Sequence, residues 1–313
     1  MDNGTSATNT IRYAMISVPF DNPLPEKPVF GSTEFIGRTR LAQNLFSRCL
    51  RGQSILLYGG PKLGKTSMLL HLKWLVDRDR EASTATPAAL YLDLSDMGTR
   101  KQLFVGPWPS PAPILLLDNC DHLLKESRND QLHEIITGAS FAHAAVWAGA
   151  RAWHDFVLDH RWTADIRHAP LAVLLQGEAG NLLNARLTAN QMTAVLSTGG
   201  THPYVLKVLG RFMLSLPGDP LSAISTAGEH LVTFFQACRQ ALRQGAEEAL
   251  LRHLVQEVRP INPREAAVAV QLPNIKSQAD ALCCLGLISR WNLNEGAMLQ
   301  ANCPIFNAWY LKQ

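Results

Sequence analysis

Three stretches of the chain are apolar without alternation: Ile55–Tyr58, Ala88–Leu94 and Ile114–Leu117. Two more follow, Ala144–Ala150 and Arg167–Leu175. Continuous apolar runs of this length predict strands buried on both faces, the habit of a parallel sheet. Before and between them the period changes. Leu41, Leu45, Phe46 and Leu50 recur at helical spacing, Thr66 to Arg78 reads as an amphipathic helix, and His122 to Gly138 reads as another. The piece MGTRKQLFVGPWPSPAP (97–113) has no helical period and ends rich in proline, which predicts a loop.

Beyond Leu175 the strand pattern stops. Glu178–Leu187, Ala189–Leu196 and Pro220–Leu242 read as helices, with a boundary near Gln244-Gly245. Glu247–Val258, Pro263–Gln271 and Lys276–Leu285 give three more, followed by two strand-like stretches around Asn294-Glu295-Gly296. Three helices and a hairpin is the order of a winged helix. The expected fold is therefore an α/β domain with a parallel five-stranded sheet, then a helical lid, then a winged-helix domain. The boundaries read are an extended tail over 1–30, the sheet domain over 31–175, the lid over 176–244 and the winged helix over 245–313. Pro19, Pro23, Pro25 and Pro28 keep the tail extended.

The chemistry sits at the end of the first strand. Gly59, Gly64, Lys65 and Thr66 fill the template G-x-x-x-x-G-K-[ST]. Glycines at that spacing let backbone N–H groups curl around an anion, and the next helix begins with its positive dipole end at the phosphates. Gly59, Gly60, Pro61, Lys62, Leu63, Gly64, Lys65, Thr66 and Ser67 are the candidate phosphate-binding residues. Lys65 is expected to reach the β- and γ-phosphates, and the Thr66 hydroxyl to coordinate Mg²⁺. Ile114-Leu115-Leu116-Leu117-Asp118 is an apolar strand ending in an acid, the Walker B form, which makes Asp118 the second metal-side residue.

Phe35-Ile36-Gly37-Arg38 precedes the first helix. With the phosphate loop behind it, this arrangement resembles the AAA+ ATPases, especially the archaeal-type and signal-transducing (STAND) branches. The resemblance implies that Phe35, Ile36 and Arg38 lie beside the adenine of ATP or ADP. It also implies that Arg151, at the end of the fourth strand, reads the γ-phosphate; the plainer alternative is a surface Arg at a strand end. Gly199-Gly200-Thr201-His202-Pro203 resembles the lid motif of STAND ATPases, whose proline packs on the adenine, so Pro203 is carried over with His202 beside it. Thr201 makes this motif one residue longer than the usual form. The terminal IFNAWYL resembles the closing F-x-x-W segment of the archaeal-type ATPases.

Active members of this class place Glu directly after the Walker B Asp. Here the residue is Asn119, whose amide holds a water but cannot take its proton at neutral pH. Asp121 either caps the helix starting at His122, the favoured reading, or turns inward as a substitute acceptor. Slow or absent hydrolysis is expected, and Asn119→Glu is expected to raise it if the rest of the site is intact.

Composition narrows the function further. A charge of +3 on 313 residues implies no general polyanion-binding field. The acids and bases of 247–313 cancel, so DNA binding by the winged helix is not expected. The six cysteines include no C-x-x-C pair, and the histidines at 122, 133, 143, 154, 160 and 168 match no ligand spacing. Reduced core cysteines in a cytoplasmic protein are the reading, and no apolar run reaches the ~18 residues of a membrane span. The resulting expectation is an ATP- or ADP-binding signalling switch that controls a protein partner in trans, with a possible nucleotide-dependent oligomer. A bacterial defence system is the setting that the resemblance implies. An active ATPase that remodels a partner or loads onto DNA, and a nucleotide-stabilised scaffold, are the alternatives.

Overall fold

A computed structural model of the chain describes residues 28–29, 35–105, 110–125, 142–159, 166–184, 186–216, 218–293 and 296–313. The extended tail, most of the His122–Gly138 helix, and Asn294-Glu295 lie outside the described residues.

The sheet forms as its apolar runs dictate. Strands β1 (Ile55–Tyr58), β2 (Ala89–Asp93), β3 (Ile114–Asp118), β4 (Ala144–Gly149) and β5 (Arg167–Pro170) pair in parallel in the order β2-β3-β4-β1-β5. Alternate side chains enter two different cores. Ile55, Leu57, Ile114, Leu116 and Val146 pack with helices α1 (Thr39–Leu50) and α2 (Lys65–Ala82) on one face. Leu56, Leu115, Leu117 and Trp147 pack on the other with Leu103, Trp153 and Val157, from α3 (Met97–Val105) and α4 (Arg151–Asp159). Burial on both faces is what forbids polar alternation in these strands.

Two expectations need correction. The expected loop after β2 begins with helix α3. Its apolar period is weak: among its described side chains Leu103 is buried, and the adjacent Phe104 packs half-buried on the same core. The missed signal is a cap: the Asp96 carboxylate accepts the Thr99 N–H at 2.7 Å and its hydroxyl at 3.0 Å. The last strand ends at Pro170 and does not continue to Leu175. Its neighbour β1 stops at Tyr58, so the ladder has no partner beyond, and the chain crosses the phosphate loop instead.

After the sheet come α5 (Gln176–Asn184), α6 (Ala189–Gly199), α7 (Pro203–Ser215) and α8 (Pro220–Gln240). Thr188 and Gln191 form a capping box at α6, while Asp219 caps α8 ahead of Pro220. Then follow α9 (Ala246–Glu257), α10 (Pro263–Ala269), α11 (Lys276–Cys284), the antiparallel hairpin β6 (Ile288–Leu293)–β7 (Gly296–Ala301), and α12 (Pro304–Tyr310). One hydrophobic cluster runs from Leu174 to Tyr310 through all of these helices.

Gly200 shows how tightly that cluster closes. Its φ is +64°, and a Cβ there would stand 1.7 Å from the Asn302 carbonyl oxygen. Gly200→Ala is expected to lower stability by at least about 3 kcal/mol in denaturant unfolding, since both backbone strain and overlap must be relieved. Gly180→Ala, in α5 with nothing within 4 Å of the added methyl, is expected to be neutral or stabilising by up to about 1 kcal/mol. Equal effects of the two would contradict this packing.

Candidate nucleotide site

The loop between β1 and α2 brings the phosphate-side residues together. Gly64 takes φ +93°, a left-handed conformation that releases the chain into α2. The Lys65 ammonium donates to the Gly59 and Gly60 carbonyl oxygens, both at 2.9 Å, so it lies folded over its own loop. Burial pulls the Lys65 ammonium below its ordinary pKa, opposed by the charges of Asp121 and Asp118. Pro61, Lys62, Leu63, Gly64, Lys65, Thr66 and Ser67 line a cavity of about 390 Å³. That volume is within the range of small-molecule sites, about 300–1,000 Å³.

Asp118 closes the metal side. Its Oδ2 accepts the Thr66 hydroxyl at 2.6 Å and the Tyr91 hydroxyl at 2.9 Å, and Oδ1 accepts the Asn119 N–H at 2.9 Å. The carboxylate is almost fully buried. Burial, then the Asp118 charge and hydrogen bond, push the Tyr91 phenol well above its usual pKa. Tyr91 therefore stays a donor that aims Asp118, a role invisible in a strand read only for its hydrophobicity. A hydroxyl and a carboxylate meeting at a helix N-terminus are hard oxygen donors that suit Mg²⁺. Thr66 and Asp118 would hold the ion, which would neutralise phosphate charge when bound.

Phe35, Ile36, Arg38 and Pro203 line the same cavity. The Phe35 ring stacks on His71 of α2 at 4.1 Å, which fixes its plane. Arg38 sits at φ +55° and ties separate elements together. Its guanidinium donates to the Leu63 carbonyl at 2.7 Å and the Ala172 carbonyl at 2.5 Å, while Glu178 of α5 accepts its backbone N–H at 2.5 Å. Burial brings the guanidinium down to about 10, offset in part by the Glu178 carboxylate. Leu174, Leu182, Tyr204 and Lys207 also line the cavity and were not singled out from the sequence. Tyr204 and Lys207 follow Pro203 by one and four positions, so one helical face carries all three. The Lys62 ammonium stands 5.6 Å from the centre of the Tyr204 ring.

Several candidates lie elsewhere than expected. Gly59 and Gly60 do not line the cavity: Cβ atoms there would meet the Leu171 oxygen at 3.0 Å and the Leu285 oxygen at 2.5 Å. Asp121 lines the cavity, but its carboxylate accepts the Ala150 N–H at 2.7 Å and the Trp153 N–H at 3.2 Å. It caps α4, and not, as favoured from the sequence, a helix starting at His122. Arg151, the first residue of α4, forms a bidentate pair with Glu247 of α9 at 2.5 and 2.6 Å and is outside the cavity lining. His202 is buried with neither ring nitrogen hydrogen-bonded, and burial drags its pKa to about 3, so it is neutral.

Asn119 lines the cavity with φ +56°. Asn adopts that left-handed conformation far more readily than Glu, so the backbone itself favours the amide. Its Nδ2 donates to Asp93 Oδ1, at the end of β2, at 2.8 Å.

Lys65 is the cation expected to turn from its own loop to the phosphates. Lys65→Ala is expected to weaken Mg–ATP binding at least tenfold, roughly 1.4 kcal/mol, in titration calorimetry. Equal affinities of the two proteins would rule out the phosphate assignment.

Neither a protein-family model nor a curated protein matches the sequence. Solved structures do. A Walker-type ATPase of Pyrococcus abyssi is similar over 92% of this chain and 99% of its own, with a TM-score of 0.62 at 13% identity. The Aeropyrum pernix ORC1 protein, solved in complex with DNA, covers 94% of each chain at 13% identity, TM-score 0.48. AMPPCP-bound DnaA from Aquifex aeolicus covers 75% of this chain and 84% of its own at 16% identity, TM-score 0.44. At 13% identity the likeness to the Pyrococcus abyssi ATPase is one of architecture. The chain has the fold of a Walker-type P-loop ATPase.

Proposed function

We propose that this protein is a STAND-type switch that binds ATP or ADP with Mg²⁺, hydrolyses slowly or not at all, and controls a protein partner in trans. The observation that carries this reading is the asymmetry of the site. The groups this reading assigns to phosphate and metal lie close together: the loop, Lys65, and Thr66 at 2.6 Å from Asp118. What would take the proton of an attacking water is not among them. The position after Asp118 is an amide, and the Asp121 carboxylate is committed to the N–H groups of α4. Transfer of the γ-phosphoryl to water asks for an oriented nucleophile, and a positioned base contributes typically ~10²–10⁴-fold.

A switch also needs its nucleotide loop mechanically joined to the rest of the chain. The Gly60 N–H donates to the Cys284 carbonyl at the end of α11 at 2.7 Å. Beside it, Arg151 is paired with Glu247, and Arg243 with Asp155 at 2.6 Å. Helices α9, α10 and α11 with the β6–β7 hairpin have the order of a winged helix. Its arginines are largely engaged: Arg290 with Asp280, Arg259 with Glu265, Arg252 with Glu248. That pairing supports a packing and signalling role over the reading of a nucleic acid, which needs several uncommitted cations at once. Among the described residues no helix is long and apolar enough to cross a membrane.

Purified protein at saturating Mg–ATP is expected to turn over well below once per minute in a phosphate-release assay. Brisk hydrolysis abolished by Asp121→Asn would overturn the switch reading and make Asp121 the base.

A further inference from the structure

Thr201 is the residue by which the lid segment departs from the form it resembles, and its hydroxyl is engaged. It donates to Asn302 Oδ1 at 2.8 Å. Asn302 follows β7, and the rest of its amide is also bonded. The Ser289 hydroxyl donates to the same Oδ1 at 3.1 Å, and Nδ2 donates to the Gly286 carbonyl at 3.3 Å. A carbonyl only accepts, so the amide has one orientation: nitrogen to Gly286, oxygen to the two hydroxyls. The Asn302 N–H donates to the Leu287 carbonyl at 2.9 Å. Asn302 thus ties the lid segment to the turn between α11 and β6.

That turn is pressed between the phosphate-side loop and the lid segment. Gly286 has φ +76°, and a Cβ there would meet Leu63 at 3.0 Å, His202 at 3.1 Å and Val173 at 3.2 Å. Two residues earlier, the Cys284 carbonyl accepts the Gly60 N–H at 2.7 Å. On the lid side, the Thr201 carbonyl accepts the Leu174 N–H at 3.1 Å. Leu63, Leu174 and Pro203 line the cavity, whereas Thr201 and Asn302 do not. The contact of His202 with the turn is apolar, since neither of its ring nitrogens is hydrogen-bonded. The Thr201 hydroxyl supplies the direction that this contact lacks.

We propose that Thr201 is a positioning residue of the nucleotide site: bonded to Asn302, it makes the loop and the lid segment share one turn of the C-terminal part, so that nucleotide in the cavity is felt at 285–303. The inference rests on the nucleotide-switch reading and deepens it by naming the route from the site to the C-terminal hairpin. A ligand touching both the loop and Pro203 fixes their separation, and the turn wedged between them has to follow, because packed interfaces do not deform smoothly. Valine has the shape of threonine without the hydroxyl. In Thr201→Val the Ser289 hydroxyl still donates to Asn302, so the Asn302 oxygen is not stranded.

The test compares the full chain as wild type, Thr201→Val, Thr201→Ser and Asn302→Ala. Amide hydrogen exchange is read with and without saturating Mg–ATP, beside titration calorimetry and urea unfolding. In wild type, Mg–ATP is expected to slow exchange both at 59–67 and, by at least about fivefold, at 285–303. Thr201→Val is expected to keep the protection of 59–67 and lose that of 285–303, while Thr201→Ser keeps both. Asn302→Ala breaks the same bond from the other side and is expected to match Thr201→Val, so a valine variant that does not fold leaves the test standing. A merely structural bond would lower the urea midpoint yet leave the ATP-dependent difference at 285–303 intact, and that result overturns the role of Thr201. So does a serine variant that behaves as valine, or a wild type that binds Mg–ATP with no change at 285–303. Failure of wild type to bind Mg–ATP overturns instead the nucleotide reading beneath it.

Discussion

The structure depends on a backbone loop gripped from two sides. Between β1 and α2 the chain has no side chain at Gly59 or Gly60, and carbonyl groups occupy the space: Leu171 from the exit of β5, Leu285 from the end of α11. The Gly60 N–H is bonded to Cys284, and the Leu63 carbonyl to Arg38. The loop between β1 and α2 is thus also the place where the exit of the sheet and the C-terminal helices meet. Shifts of less than an ångström there have nowhere to dissipate, because close-packed interfaces rearrange between discrete packings and do not deform smoothly. This is the physical basis for reading the protein as a switch and not as a carrier of nucleotide.

The same grip explains what was legible in the sequence. The sheet was plain because strands buried on both faces must be apolar at every position, as Ile114 to Leu117 are. The phosphate loop was plain because its backbone geometry demands glycine at Gly64 and its chemistry demands Lys65 and Thr66. Helix α3 was obscured, since the adjacent Leu103 and Phe104 meet the core together and leave almost no period. Contacts between distant elements were beyond pattern: Arg151 with Glu247, Tyr91 with Asp118, Asp121 with the start of α4. A strand-end arginine and a strand-end acid have many partners available to them, and only tertiary geometry selects one. Asn119 was singled out as the anomaly of the site from its place after Asp118, whereas its left-handed backbone and its bond to Asp93 had no signal in the sequence.

On the proposed reading, binding and hydrolysis are separable because they would draw on different atoms. Phosphate would be met by backbone N–H groups, Lys65 and the Thr66–Asp118 corner, none of which moves a proton. Water would be met by an amide whose nitrogen is already committed to Asp93. A protein so built is expected to hold ATP long enough for a partner to read it. The most direct measurement is the fate of bound nucleotide: load the protein with labelled Mg–ATP, remove the excess, and follow what stays on it by chromatography after acid quench. The account predicts that nucleotide co-elutes with the protein and is recovered as ATP over many minutes. Recovery as ADP within the first minute, or no retained nucleotide at all, would contradict it.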